Sequence, residues 1–123
     1  MSCLFCDLSP TRVIMQNELA YCAHDGYPVS DLHTLIIPKR HAETYFDLTD
    51  AEREACHELL METKASIENQ DEKVNGFNIG INNGESSGQT IFHCHIHLIP
   101  RRTGDMENPR GGVRGVIPDK RTY

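Results

Sequence analysis

"HCHIHLIP", residues 93–100, sets His93, His95 and His97 on alternate positions, with Cys94, Ile96 and Leu98 completing the pattern. Strict alternation is the period of a β-strand, whose side chains point to opposite faces in turn; a helix would scatter the three rings around its axis. The stretch predicts a strand with a row of imidazoles on one face and apolar side chains on the other. Upstream, "GFNIGIN" (76–82) alternates Phe77, Ile79 and Ile81 with small or polar residues, a second strand with one buried face. The loop between them, "NGESSGQT" (83–90), is short, and so short a loop joins strands that pair antiparallel.

Further out, "HTLIIP" (33–38) is an apolar run expected as a central strand stopped by Pro38. "ELAYCAHD" (18–25) reads as a strand ending at the turn signal "DGYP". "TDAE" (49–52) has the form of a capping box, with Thr49 as N-cap and Glu52 three residues on. A helix is predicted from there to about residue 69, with Cys56, Leu59, Leu60, Thr63 and Ile67 on its inner stripe. No repeat or linker divides the chain. The expected architecture is α+β: one domain over residues 1–123, an antiparallel sheet with a long helix packed on it.

Composition fits a globular chain of 123 residues, 38% hydrophobic and 24% charged. The net charge of −6 is uneven: residues 1–92 carry 6 Lys and Arg against 15 Asp and Glu, and residues 93–123 carry 6 against 3. So acidic a chain is a poor candidate for wrapping nucleic acid. The excess of Arg101, Arg102, Arg110 and Arg114 near the histidines leaves room for a local anion site, which charge alone does not decide because basic tails are often simply solvated. No segment has transmembrane length. "MSCLFCDLSP" lacks the basic start and apolar run of a signal peptide, and five cysteines without one are expected as reduced thiols in the cytoplasm. Cys22, Cys56 and Cys94 read as small core residues, His24 and His57 as surface ones.

Three chemistries fit the histidine row. Its rings could be structural, although each needs partners for two nitrogens. They could hold a metal. Or a neutral imidazole, whose ordinary pKa is about 6.5, could attack phosphorus while its neighbours orient it and handle protons. Gly84 and Gly88 lead through Gln89 and Thr90 straight into the row. This is no P-loop, since three residues separate the glycines, glutamine stands in place of lysine and a strand follows.

"GQTIFHCHIHLIPR" (88–101) closely resembles the signature of the histidine-triad superfamily, and "HTLIIPKRH" (33–41) its second hallmark. The order of Asp25, His33, Asn82, Gly88, Gln89 and Thr90 is similar too, and the tail resembles the diadenosine polyphosphate hydrolase branch. The resemblance implies a homodimeric nucleotide hydrolase or nucleotidyl transferase acting at an α-phosphate. His95 matches the nucleophile, His97 the residue contacting phosphate and leaving group, His93 the buttress of the row, and His33 a fourth imidazole. Gln89 joins the catalytic set. Gln89, Thr90, Gly88 and Asn82 match phosphate-contacting positions, Asp25 the ribose-binding acid, and Phe5 and Leu8 the wall of the base pocket. A nucleoside phosphoramidase and a nucleotide- or zinc-binding protein without turnover are the alternatives.

Cys3 and Cys6 form a Cys-x-x-Cys pair, half a zinc site by itself or else a redox or buried pair. Some members of the family complete it with the histidine ending the Pro-basic-basic-His stretch and the first of the triad. Here those are His41 and His93, which implies structural zinc and no metal in the chemical step.

Overall fold

A helix of 21 residues begins at the capping box, directly after its Thr49. In the computed structural model, which describes residues 3–123, α1 runs Asp50–Gln70. The Thr49 hydroxyl accepts from the Glu52 backbone N–H at 3.1 Å and the Glu52 carboxylate accepts from the Thr49 N–H at 2.9 Å. Glu52 is nearly buried and takes two further bonds, from Arg40 Nε at 2.8 Å and Nη2 at 2.9 Å. This fork ties the helix start to the Lys39–His41 segment. The Arg40 guanidinium, ahead of the two Thr49 contacts, holds the Glu52 carboxyl down at about 2.

Five strands follow the order β1-β2-β3-β5-β4, every neighbour antiparallel: β1 Val13–Gln16, β2 Ala20–His24, β3 Thr34–Pro38, β4 Val74–Gly80 and β5 Ile96–Arg102. The predicted stripe of α1 is buried in full against Ala20, Cys22, Ile36 and Leu98 of the sheet. On the opposite face Tyr21, Leu35 and Ile37 are covered by Phe5, and the Tyr21 hydroxyl donates to the Phe5 carbonyl at 2.5 Å. The run "TLIIP" is thus apolar throughout because β3 is buried on both faces. Cys22, Cys56 and Cys94 lie in the core, while His24 and His57 are exposed.

The structure departs from the sequence-based expectation at four places. β5 starts at Ile96, so of the three histidines only His97 is in the strand. The last pair with β3 is Ile36–Ile96; two residues on, Pro38 offers no N–H and its carbonyl accepts from the His93 ring instead. β4 begins and ends two residues early, and Ile79 is half exposed because β4 is the sheet edge while α1 packs chiefly on β2 and β3. β1 carries no sequence signal: four residues with two half-buried give no readable period. The fourth departure is the arginine-rich tail. Arg101 binds Asp105 and Asn78, Arg102 binds Asp71 and the Asp31 carbonyl, Arg110 the Tyr123 carbonyl and Arg114 the Lys120 carbonyl. None of the four lines the histidine cavity.

Glu52 gives a pH-dependent test of the fold. Its depressed carboxyl stabilises the folded state fully above the unfolded value near 4.5, and that contribution is lost as pH falls towards about 2. Glu52→Gln should lower stability to urea by about 1–3 kcal/mol at pH 7, and the gap from wild type should narrow steadily as pH falls from 4.5 towards about 2. A gap independent of pH would contradict the ion-pair account.

Candidate active site

The histidines gather at one end of the sheet, on the face away from α1. His33 precedes β3, Asp25 follows β2, His97 lies in β5, and His93 and His95 sit on the irregular approach to it. The hydrogen bonds fix the tautomers, since a carbonyl only accepts and a backbone N–H only donates. His93 Nε2 donates to the Pro38 carbonyl at 2.8 Å, leaving Nδ1 as its lone pair. His95 Nδ1 donates to the His93 carbonyl at 2.7 Å, which leaves a bare lone pair on Nε2. His33 Nδ1 accepts from the Val29 N–H at 3.2 Å, so its Nε2–H donates to His97 Nδ1 at 2.9 Å. Neutral His97 therefore carries its proton on Nε2. One bare nitrogen and one N–H donor result, on rings 5.3 Å apart.

Burial controls the charge of this cluster. It lowers the pKa of His33, partly countered by the Asp25 carboxylate, whose Oδ2 is 3.5 Å from His33 Nε2 and 3.8 Å from His97 Nδ1. His97 is pushed down to about 4, first by burial and then by His95 and His33, with Asp25 opposing. Asp25, His33 and His97 are close enough to share a metal. The Val29 bond argues against one, because it leaves the His33 nitrogen facing the other two protonated.

His95 and His97 line a cavity of about 520 Å³ with Asp25, Asn82, Gly88 and Thr90, and its apolar wall includes Phe5, Leu8 and Ile91. The Phe5 ring meets His95 edge-on with centroids 4.9 Å apart. Gly84 and Gly88 hold φ of +95° and +96°, a region that favours glycine, and so shape the loop. Gln89 does not line the cavity: its Oε1 accepts from the Gly84 N–H at 2.8 Å, and its Nε2 donates to the carbonyls of Glu43 at 2.6 Å and Ile91 at 3.1 Å. Its amide staples the loop. Arg12 and Tyr27 line the cavity although no motif in the sequence marks either.

Beside the cavity, Cys3, Cys6, His41 and His93 place four ligand atoms within 4.8 Å of one another. Tetrahedral zinc with Zn–S of about 2.3 Å and Zn–N of about 2.0 Å sets sulfur and nitrogen roughly 3.5 Å apart. Here Cys3 Sγ is 3.4 Å from His93 Nδ1, Cys6 Sγ is 3.5 Å from it, and Cys6 Sγ is 3.3 Å from His41 Nδ1. The donor set is that of a closed structural site, and the Pro38 bond leaves the correct His93 nitrogen free for it.

This geometry belongs to a known class. Residues 8–104 match the HIT domain, and the chain belongs to that family. It is similar to an uncharacterised HIT-like protein of Methanocaldococcus jannaschii, 34% identical with 96% of this chain and 94% of that one covered. It is 35% identical to the adenylylsulfatase HINT3 of Arabidopsis thaliana over 84% of this chain and 54% of that protein. Among solved structures, a zinc-bound histidine triad family protein from Mycobacterium smegmatis superposes with a TM-score of 0.78 at 31% identity, covering 87% of this chain and 80% of that one.

The buried imidazoles make a direct prediction. In the free protein the His97 ring should titrate by NMR near pH 4 and stay neutral above about pH 5. Because folding holds it neutral where the unfolded chain would bind a proton, it contributes a loss of stability as pH falls from about 6.5 towards 4. A His97 midpoint at or above 6.5 would contradict the burial argument.

Proposed function

We propose that this chain is a nucleotidyl hydrolase or transferase that works through a covalent adduct on His95. The observation that carries the reading is the 2.7 Å bond from His95 Nδ1 to the His93 carbonyl, which aims a bare Nε2 lone pair at the cavity. The substrate is a nucleoside polyphosphate or a related nucleotide with a leaving group on its α-phosphorus, a dinucleoside polyphosphate being one case. The relative named adenylylsulfatase supports nucleotide hydrolysis in this family.

Asp25 takes the ribose hydroxyls, and Phe5 and Leu8 flank the base. Thr90, Asn82 and the loop around Gly88 surround the phosphate, where preorganised donors stabilise charge developing on the pentavalent phosphorus. Gln89 serves by holding that loop, and His33 by fixing the His97 tautomer. An arriving anionic phosphate favours imidazolium at His97. His95 Nε2 then forms a bond to phosphorus as the bond to the leaving group breaks, and His97 gives its proton to the departing atom. Water attacks the phosphorus next, the P–N bond breaks, and the proton from water returns to His97. The reaction is a nucleotidyl transfer in two displacements.

Cys3, Cys6, His41 and His93 would hold zinc outside the reacting atoms, and the metal's contribution there is to fold the N-terminal segment. The family resemblance supports a homodimer.

His95→Asn should retain nucleotide binding and lose on the order of four decades in kcat. Rapid quench with radiolabelled substrate should trap an acid-labile, base-stable adduct on the wild-type chain, and a chiral α-phosphorus should emerge with retention. Inversion would indicate direct attack by water. Activity should be sought with dinucleoside polyphosphates, adenylyl sulfate and nucleoside phosphoramidates, and binding without turnover of any of them would leave a nucleotide-binding protein in place of an enzyme. Metal analysis should find about one zinc per chain, and chelation should lower Tm more than it slows the chemical step. Freshly purified protein without zinc would overturn the metal assignment.

A further inference from the structure

The cavity contains a charge that the proposed chemistry does not use. Arg12 lines it together with Asp25, His95 and His97, yet among the described residues its side chain makes one hydrogen bond, from Nη2 to the His24 carbonyl at 3.0 Å, and no ion pair. The nearby Asp25 carboxylate is turned towards His33 and His97 instead. Arg12 Nη2 is also the nearest atom, at 3.8 Å, to where a side chain on Gly26 would begin. The guanidinium is therefore held by one terminal nitrogen, Nη2, beside Gly26, with its other N–H groups left to whatever enters.

The sheet order gives the direction. His97 lies in β5, His33 precedes β3, Asp25 follows β2, and Arg12 precedes β1, and these four strands are consecutive neighbours. The Asp25 N–H donates to the His33 carbonyl on the β3 side, so the His24 carbonyl of the same peptide, which Arg12 binds, faces β1, and the guanidinium lies across β2 from the imidazoles. A nucleotide with its phosphorus at His95 and its ribose at Asp25 sends its base towards β1, past Phe5 and Leu8. Arg12 then meets the edge of the base.

Arginine has donors only, set in a planar fork. The N7/O6 edge of a 6-oxopurine offers two acceptors that match the fork, whereas adenine offers one acceptor and a donor that opposes it. A phosphate on the ribose would also attract Arg12, but it would stand against the Asp25 carboxylate. We propose that Arg12 selects 6-oxopurine nucleotides, guanine or hypoxanthine, over adenine nucleotides by binding their O6/N7 edge. This rests on the nucleotide-binding reading of the same cavity.

The test is calorimetric binding of GMP, IMP, AMP and adenosine 3′,5′-bisphosphate to wild type, Arg12→Met and Arg12→Lys, each variant checked for folding by circular dichroism. Wild type should bind GMP and IMP about ten-fold more tightly than AMP, IMP serving to exclude readout of the guanine amino group. Arg12→Met should bring both ratios to about one, and Arg12→Lys, with charge but no fork, should restore only part of them. Equal binding of all bases by wild type, or a preference that survives in Arg12→Met, overturns the assignment to Arg12 while nucleotide binding stands. Tighter binding of the bisphosphate than of AMP, lost in Arg12→Met, overturns it in favour of a ribose-phosphate contact. Binding of none of the four overturns the nucleotide reading and this inference together.

Discussion

One hydrogen bond, from the His95 ring to the His93 carbonyl, determines what the cavity can do. An imidazole in water exchanges its proton between two nitrogens, and in a nearly dry site the protein must answer both. The His93 carbonyl answers Nδ1 and leaves Nε2 open. That carbonyl is held in turn because the His93 ring is itself bound to Pro38, the last residue of β3, two residues past its final pair with β5. The end of a strand, the orientation of one buttressing ring and the direction of one lone pair are therefore a single arrangement.

The same reasoning explains the placement of the site on an irregular segment. A continued ladder between Pro38 and the residues before Ile96 would occupy the backbone groups that orient the rings. Proline ends the ladder for lack of an N–H, and the freed carbonyls become acceptors for imidazole. The Cys94 N–H finds the Ala42 carbonyl at 2.7 Å, so the segment stays anchored without a strand partner. Gln89 performs a related task from the other side, its amide closing three backbone groups across residues 43–91. The loop that the proposed chemistry sets around a phosphate is thereby held in place before any ligand arrives, and little reorganisation would remain to be made as charge developed.

Much of this was legible in the residues. The Thr49–Glu52 pair and the apolar stripe of α1 located the helix because capping and a 3.6-residue period are local properties. The runs around Ile36 and Leu98 located the central strands. The histidine alternation marked side chains that do gather at one end of the sheet, but the rings come together through side chain–carbonyl bonds and not through a regular strand, a distinction that depends on Pro38, more than fifty residues away. The half exposure of Ile79 was out of reach because a strand's place at a sheet edge is a topological fact. The arginine tail misled because charge density does not reveal whether carboxylates and carbonyls have already claimed it. Arg12 was silent for the opposite reason, its significance lying in having so few partners.

Phe5 stands between two of the candidate zinc ligands, Cys3 and Cys6, and its carbonyl is clasped by Tyr21. The wall against which a base would lie is thus part of a short N-terminal strap and not part of the sheet, whereas the imidazoles hang from β3 and β5. The two pieces meet at His93, whose Nδ1 faces the Cys3 and Cys6 sulfurs at 3.4 and 3.5 Å, and at His95, against which the Phe5 ring packs edge-on. Mutation in the strap would therefore reach the histidine row through His93, whereas the loop leading into β1 can change with less effect on it, so a lineage built on this scaffold would alter its preferred ligand at lower cost from that loop than from the strap.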